Sequence, residues 1–425
     1  MQEPGRPVRI RVIPRPSRRR RRPSRLPLAA LLIVLGVLIG SFAAAASGGW
    51  FSTSFERDTS QFQTTSLQSG QQRQPVPQPA EPPLVSSSSN QAGAAPTKPI
   101  AIASEPETPS PLASAPLPSY TLLQGVRHEY QGWNNCAPSS LGMVLSYYGR
   151  TEAQADVVPF LKSDPNDKNV SPHEFTAYVE NIGFQAHVGV GGDLNLLKRL
   201  LSAGFPVIVE FWFEPEPNDG MGHYRVLYGY DDQSKVFHAH DSYVGPSVTV
   251  SYTELDSEWQ VFNRTYVVIY PSESQAAVES VLTESNRGRQ MWERALHVAR
   301  QELSQDESNA FAWFNLGTSA LQLGDTRMAA QAFDWARHLG LPWRMLWYQF
   351  GPFEAYWVQG RYDDVIALAN SHLGESSSEE WYYWRGRARE MNGDLAGARS
   401  DFIAAIDLNS NFLAAKEALE KSQAA

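Results

Sequence analysis

The chain has 425 residues, of which 42% are hydrophobic and 11% aromatic, so it is long enough for two or three domains with real cores. Its formal charge of −9 is uneven: residues 1–25 hold ten arginines and one acid, which leaves 26 basic and 44 acidic residues for the rest. An acidic main body argues against nucleic acid as its partner.

An uncharged segment follows this basic N-terminal tail. Residues 26–47 carry no charge and include a strongly apolar run from Leu28 to Ile39. About 20 such residues span a bilayer as a helix, and arginines on the N-terminal flank stay in the cytoplasm. We therefore predict a single-pass membrane protein with a cytoplasmic tail (1–25), an uncleaved signal anchor (26–47) and an extracytoplasmic body. The small residues of 43–47 leave a cleaved signal peptide, and hence secretion, as the alternative.

Residues 48–118 are rich in Ser, Gln, Pro and Ala and poor in large apolar side chains. Such a segment buries too little surface to offset its ordering entropy. We predict a disordered linker that holds the body away from the membrane.

A mixed α/β pattern begins at about Tyr120 and predicts one domain over residues 119–272. Apolar spacing and end signals predict helices over 139–148, 171–182 and 193–203. Asp193 is expected to cap the last of these helices. Apolar runs bounded by turn residues predict strands over 206–211, 223–230, 235–241 and 261–270. The second and third strands flank a polar cluster and therefore form a hairpin.

The chain from Arg289 onward is predicted to be helical and repetitive. The turn Gly324-Asp325 recurs as Gly393-Asp394, 69 residues later and close to two periods of a tetratricopeptide unit of about 34 residues. An ordinary helical bundle would not produce matched turns. We predict an all-α tetratricopeptide solenoid over residues 289–425, with a concave surface for a peptide or protein partner.

Cys136 is the only cysteine, and it lies at the predicted start of an apolar helix, just before Pro138. Free N–H groups and the helix dipole at such a position favour the thiolate. Gln131 lies five residues upstream, where its amide can join the Cys136 N–H as an oxyanion donor. The alternative is that Cys136 is a buried small hydrophobic residue, the usual role of a free cysteine.

The segment Gln131-Gly132-Trp133-Asn134-Asn135-Cys136-Ala137-Pro138 resembles the nucleophile motif of the C39-like cysteine peptidases. The resemblance continues with Gly222-His223-Tyr224, Gly229-Tyr230-Asp231-Asp232 and Asp241-Ser242-Tyr243, in the same order. It implies an α+β domain with a papain-like fold. It also implies Cys136 as nucleophile, His223 as general base, Asp241 as the residue that orients the histidine and Gln131 as oxyanion donor. One departure is Ala137, where many relatives have glycine.

The spacing within the hairpin gives a separate expectation for His223 and Asp241. With a loop of three residues, these two residues stand opposite each other and point to one face. A loop of five residues makes them diagonal neighbours, and a loop of four places Asp241 on the other face. The pairing therefore predicts a loop with an odd number of residues.

No cofactor or metal site is expected. His238 and His240 alternate along a strand but lack a third ligand at a recognisable spacing, so we interpret them as part of a polar strand face.

The sequence thus predicts a membrane-anchored, extracytoplasmic cysteine peptidase whose repeats recruit a protein partner or substrate. Two alternatives stay open. The peptidase-like domain can be an inactive scaffold that only binds a peptide, or the same thiol can transfer an acyl group to an amine, because hydrolysis and transfer use the same residues.

Overall fold

The computed structural model describes residues 116–424, apart from 163, 165, 166, 168 and 375–377. The predicted cytoplasmic tail, membrane helix and nearly all of the predicted linker lie outside the described residues. Among the helices that are described, none combines the length and hydropathy needed to cross a membrane.

The first part of the described chain is a sheet flanked by helices. Its strands are β1 (Tyr120–Leu122), β2 (Phe184–Gly189), β3 (Val207–Phe213), β4 (Met221–Asp231), β5 (Val236–Asp241), β6 (Gly245–Ser251) and β7 (Tyr266–Pro271). Its helices are α1 (Cys136–Tyr147), α2 (Gln154–Leu161), α3 (Pro172–Asn181), α4 (Leu194–Ser202), α5 (Tyr252–Gln260) and α6 (Gln275–Val281).

The seven strands form one antiparallel sheet in the order β2-β7-β3-β4-β5-β6, and β1 pairs with β4. Alternating residues of β3 enter different cores. Val207 and Val209 pack with α4 and α5, while Ile208 packs with α1 and α3. The sheet is therefore covered on both faces, and the helix that starts with Cys136 lies against β4.

Local signals explain several element ends. Asp193 caps α4, as expected, because its Oδ1 accepts a hydrogen bond of 2.7 Å from the N–H of Leu196. The predicted strand over 261–270 is partly wrong. Residues 261–265 form a turn after α5, and the strand begins only at Tyr266.

The second part of the described chain is all-helical, which agrees with the predicted fold class at that level. Its helices are α7 (Gly288–Gln305), α8 (Ala310–Gln322), α9 (Thr326–Leu339), α10 (Gly351–Val358), α11 (Tyr362–His372), α12 (Glu379–Met391), α13 (Leu395–Leu408) and α14 (Leu413–Ala424). A short 3₁₀ segment, Trp343–Trp347, lies between α9 and α10. We call residues 288–424 the C-terminal helices.

The two matched Gly-Asp turns have the same geometry. Gly324 and Gly393 follow α8 and α12 with φ of 87° and 83°, a left-handed conformation that glycine adopts without strain. Asp325 and Asp394 then cap α9 and α13 through hydrogen bonds of 2.9 Å to backbone N–H groups. One dipeptide therefore ends a helix and starts the next in both places.

The C-terminal helices pack directly on the sheet region. Val261 and Phe262, in the turn before β7, belong to the hydrophobic core of the C-terminal helices. Arg264 in the same turn donates to Glu302 at 2.6 Å, and Asn315 donates to the carbonyl of Gln260 at 2.7 Å. This contact combines apolar burial with buried polar bonds, so the two regions form one packed body.

Candidate active site

Cys136 is the first residue of α1 and is partly buried. The loop that precedes Cys136 has an unusual backbone conformation. Asn134 has a φ of 55°, in the left-handed region that asparagine tolerates. Its carbonyl accepts a hydrogen bond of 3.0 Å from the ammonium group of Lys162, a buried side chain at the end of α2. Lys162 thus ties the loop that precedes Cys136 to the end of α2.

Gln154, the first residue of α2, fixes the same loop from the other side. Its Oε1 accepts from the N–H of Gly132 at 2.6 Å and from the amide of Asn135 at 3.2 Å. Its Nε2 donates to the carbonyl of Tyr130 at 2.7 Å. One side-chain amide therefore satisfies three groups of the segment that leads into Cys136.

His223 and Asp241 come together, but not through the predicted hairpin. The loop between β4 and β5 has four residues, 232–235, so the prediction of an odd number is wrong. A β-bulge at Tyr228 adds one residue to β4 and restores the parity. Asp241 consequently stands opposite Arg225, two residues from His223 and on the same face. His223 Nε2 lies 3.0 Å from Asp241 Oδ1.

Asp241 is fully buried, and four donors surround its carboxylate. Besides His223, Arg225 Nε donates to Oδ2 at 2.9 Å, and the N–H groups of Tyr243 and Val244 donate to Oδ1 at 2.8 and 2.9 Å. Burial raises the pKa of Asp241, but the bond and charge of His223, the charge of Arg225 and the N–H of Val244 lower it well below its usual range. The carboxylate is therefore ionised and fixed in position.

The thiol of Cys136 is in hydrogen-bond contact with the His223 ring. Because Nε2 of the ring is bound to Asp241, Nδ1 is the nitrogen left for the sulfur. Burial raises the pKa of Cys136, but His223 and the N–H groups of Tyr224 and Ala137 outweigh it, and the pKa lies below its ordinary value.

The pKa of His223 shifts in the opposite direction. Burial lowers it, but the hydrogen bonds and charges of Asp241 and Cys136 raise it to about 9. Between the two pKa values, sulfur and imidazole form a thiolate–imidazolium pair that titrates as a unit.

Gln131 lies beside this pair, anchored at both backbone and side chain. Its N–H donates to the carbonyl of Ser242 at 2.9 Å, and its Oε1 accepts from the Ser242 hydroxyl at 2.7 Å. Ser242 directly follows Asp241, so Gln131 is attached to the strand end that carries the carboxylate. The Gln131 amide nitrogen makes no hydrogen bond within the described part of the chain.

The two histidines on β5, His238 and His240, contact protein groups of the sheet region. His240 Nε2 lies 3.1 Å from the carbonyl of Val126, and its Nδ1 accepts from the N–H of Ser247 at 3.1 Å. Both ring nitrogens of His240 are thus engaged, and its ring lies against Tyr228, as does that of His238. Among the described residues, no cluster of three or more His, Cys, Asp or Glu is positioned to hold a metal ion.

Two side chains near the thiol were not expected from the sequence. Glu210, on β3, is buried, and burial together with the Cys136 charge raises its pKa to about 8, although the Tyr224 hydroxyl lowers it. Tyr348, which follows the 3₁₀ segment, has its hydroxyl in hydrogen-bond contact with the N–H of Gly222 and feels the charge of Cys136. Neither residue belongs to a local sequence motif. Both come close to the Cys136 thiol only because segments that are distant in the sequence pack together.

An imidazole held between a thiol at a helix N-terminus and a buried carboxylate is the arrangement of a cysteine hydrolase. Comparison with known proteins agrees with that class. Residues 123–270 match the Peptidase_C39 like family. The resemblance to C39-like peptidases that the sequence motifs indicated is thereby confirmed for this region, which corresponds to the sheet and its flanking helices.

Sixteen chains of solved structures match this chain. One is the peptidase domain of Streptococcus ComA, a bifunctional ABC transporter involved in a quorum-sensing pathway, at 19% identity and a TM-score of 0.29, covering 35% of this chain and 99% of that one. Another is a double-glycine-motif protease from an AMS/PCAT transporter in complex with its leader peptide, at 19% identity and a TM-score of 0.27, covering 36% and 99%. A third, from Bacillus anthracis, is assigned to the C39-like peptidases, at 16% identity and a TM-score of 0.29, covering 35% and 96%.

No curated protein matches the chain.

Proposed function

We propose that this chain is a cysteine peptidase in which Cys136 attacks the carbonyl carbon of a peptide bond. The observation that carries the proposal is the position of His223, whose ring contacts the Cys136 thiol on one side and lies 3.0 Å from Asp241 on the other. The match of residues 123–270 to the Peptidase_C39 like family supports the same class of reaction.

The proposed reaction has two stages. The Cys136 thiolate forms a bond to the carbonyl carbon, and the imidazolium of His223 gives its proton to the leaving amine, which departs as the C–N bond breaks. His223 then takes a proton from water, the resulting hydroxide equivalent attacks the thioester, and the thiolate leaves. Asp241 holds the ring in the required orientation during both stages.

In each stage the carbonyl oxygen of the substrate becomes negatively charged and needs hydrogen-bond donors. The N–H of Cys136 and the amide nitrogen of Gln131 are the proposed pair, because neither donates to another group within the described residues. Ser242 holds the Gln131 carbonyl, which fixes the orientation of its amide. Lys162, which binds the loop carbonyl of Asn134, keeps the nucleophile segment in register.

A peptide library that presents every pair of neighbouring residues tests this function, with cleavage sites identified by mass spectrometry. The wild-type chain is expected to cut a subset of peptides, and Cys136→Ser to cut none. A wild-type chain that cuts no peptide, although its thiol reacts rapidly and depends on His223, would instead indicate a binding scaffold. Products joined to an added amine, such as alanine amide, would indicate acyl transfer.

The location of the enzyme is part of the proposal. The basic residues of 1–25 and the apolar residues of 26–47 support an N-terminal anchor with the catalytic region outside the cytoplasm. The full chain is expected to stay with membranes after alkaline extraction, and protease added outside intact cells should reach residues 116–424. Complete release into the medium would favour the cleaved signal, and protection from protease would contradict the topology.

We also propose that the C-terminal helices are tetratricopeptide repeats that bind a protein partner or substrate. Their support is the recurrence of a left-handed glycine followed by a capping aspartate at Gly324-Asp325 and Gly393-Asp394. Photo-reactive side chains at exposed positions across these helices, such as Met391 and Ile403, are expected to cross-link a protein in cells. The absence of any cross-link from the whole set would contradict a recruiting role.

A further inference from the structure

A cavity of about 210 Å³ lies where the sheet region meets the C-terminal helices. The sheet side supplies Pro172, His173, Val188, Val190, Glu210, Phe262, Asn263 and Thr265. The C-terminal helices supply Met291, Trp292, Thr318, Tyr348 and Gln349. The proposed reaction does not use this space, and neither region encloses it alone.

The cavity is close to the catalytic centre. Tyr348 and Phe262, two of its lining residues, both pack against Gly222, which directly precedes His223. Glu210 pairs in register with Tyr224, whose backbone N–H contacts the Cys136 sulfur. A substrate held at the thiol can therefore place a neighbouring side chain in this space.

The chemistry of the walls is selective. Among the described lining residues, Glu210 is the single carboxylate, and no lysine or arginine accompanies it. Only 8% of Glu210 is exposed, and burial raises its pKa to about 8 even though the hydrogen bond from the Tyr224 hydroxyl lowers it, so its charge is costly without a cation. A cationic group entering the cavity would ionise Glu210 and form a charge-assisted hydrogen bond with it. The remaining walls are mainly apolar and suit the methylene part of a long side chain.

The volume fits one such side chain. A cavity of about 150 Å³ in another protein holds a benzene molecule. A space of about 210 Å³ therefore accepts a single extended side chain but not a folded peptide segment.

We propose that this cavity receives a lysine or arginine side chain of the substrate, with Glu210 as its carboxylate partner and the C-terminal helices as its far wall. The inference rests on the proposed peptidase function and names a substrate class for it. It also gives the C-terminal helices a direct part in substrate selection, in addition to any recruitment.

The test applies the peptide library to the full chain and to Glu210→Gln, which preserves shape and hydrogen-bonding capacity but cannot ionise. In the wild type, lysine or arginine is expected to be enriched at one fixed position relative to the cut. Cleavage of those peptides should fall about 10- to 100-fold in Glu210→Gln, while peptides with norleucine at that position should be cut at a similar rate. Glu279→Gln, which changes an exposed carboxylate that does not line the cavity, is the matched control and should behave as the wild type.

A second variant tests the far wall. Thr318→Phe fills the cavity from the C-terminal helices without changing a residue of the sheet region. It is expected to lower cleavage of peptides with lysine, arginine or norleucine at the selected position and to spare those with glycine there.

The rate of alkylation by iodoacetamide separates the two proposals. An inert Cys136 thiol, with no peptide cut, would overturn the peptidase function and this inference with it. A reactive thiol and a cleaved library with no cationic preference, or with a preference that Glu210→Gln leaves intact, would overturn the inference alone.

Discussion

The polar site of the sheet region and the two matched turns of the C-terminal helices differ in how far apart in the sequence their contacting residues lie. In the sheet region, side chains from distant positions meet in a buried polar network around Asp241. In the C-terminal helices, one local turn recurs, and each copy uses only neighbouring backbone groups. A change in the network should therefore affect both chemistry and stability, whereas a change in a turn should affect stability alone.

Asp241→Asn should give the largest effect. The amide cannot stabilise an imidazolium and favours the wrong ring tautomer, so peptide cleavage is expected to fall by about 10³- to 10⁴-fold. The same change leaves Arg225 buried without its carboxylate partner. Library cleavage and chemical denaturation of the variant measure the two consequences. Cleavage within tenfold of the wild type would show that Asp241 does not orient the histidine.

Arg225→Met should destabilise the chain strongly and affect catalysis less. It removes the buried cation that holds Asp241 Oδ2, and loss of one partner from such a pair costs about 3–5 kcal/mol in unfolding free energy. Arg264→Met is the matched control, because Arg264 bonds Asp256 and Glu302 rather than Asp241. Both variants should unfold at lower urea concentration, but only Arg225→Met should raise the pKa of the Cys136 thiol. Equal thiol pKa values would contradict a role for Arg225 in the network.

The His223–Asp241 pair also makes stability depend on pH. Because the pKa of His223 in the folded chain is raised to about 9, its contribution is fully present below about 6.5 and is lost as pH rises through about 9. The lowered pKa of Cys136 opposes this loss, so both chains in the comparison carry Cys136→Ser, whose hydroxyl does not titrate in this range. In that background, the excess unfolding free energy of the His223 chain over His223→Gln is expected to fall by on the order of 1 kcal/mol between pH 6.5 and 10. Denaturation curves of both chains across that range measure the difference. A constant difference would contradict the raised pKa.

The smallest effect is expected in the turns of the C-terminal helices. Gly324→Ala and Gly393→Ala force a side chain into the left-handed region, which costs about 1–2 kcal/mol each, although nothing lies within 4 Å of the added carbon. Gly374→Ala, at a glycine without positive φ, is the control and should be close to neutral. Iodoacetamide should react with Cys136 equally fast in all three variants. A slower thiol in a turn variant would show that the two regions are more tightly coupled than their contacts indicate.

Local signals in the sequence account for what was predicted correctly. The start of a helix near Cys136, the cap at Asp193 and the turn at Gly393-Asp394 each depend on residues within a few positions of one another. The resemblance to the C39-like peptidases, over roughly residues 119–272, added the roles expected of the site residues, and the match over residues 123–270 supports that resemblance at the level of the family.

The hairpin register and the unexpected residues near the thiol depend on tertiary structure. The bulge at Tyr228 changes the hairpin register, so counting loop residues led to a wrong parity even though His223 and Asp241 do meet. Arg225 had a usable signal, since it lies two residues after His223 and must share its strand face. Glu210 and Tyr348 had none, because Glu210 approaches the thiol through the pairing of β3 with β4, and Tyr348 only through the packing of the C-terminal helices on the sheet.

The pH dependence of Cys136 alkylation by iodoacetamide, in wild type and in His223→Ala, shows whether His223 activates the thiol. The thiolate–imidazolium pair predicts that wild type reaches its full rate at a pH clearly below the ordinary cysteine pKa of about 8.5. In His223→Ala, the imidazolium that offsets the effect of burial on the thiol is lost, so the pH midpoint of alkylation should move above about 8.5. One midpoint at or above about 8.5, the same in both chains, would show that His223 does not activate the thiol.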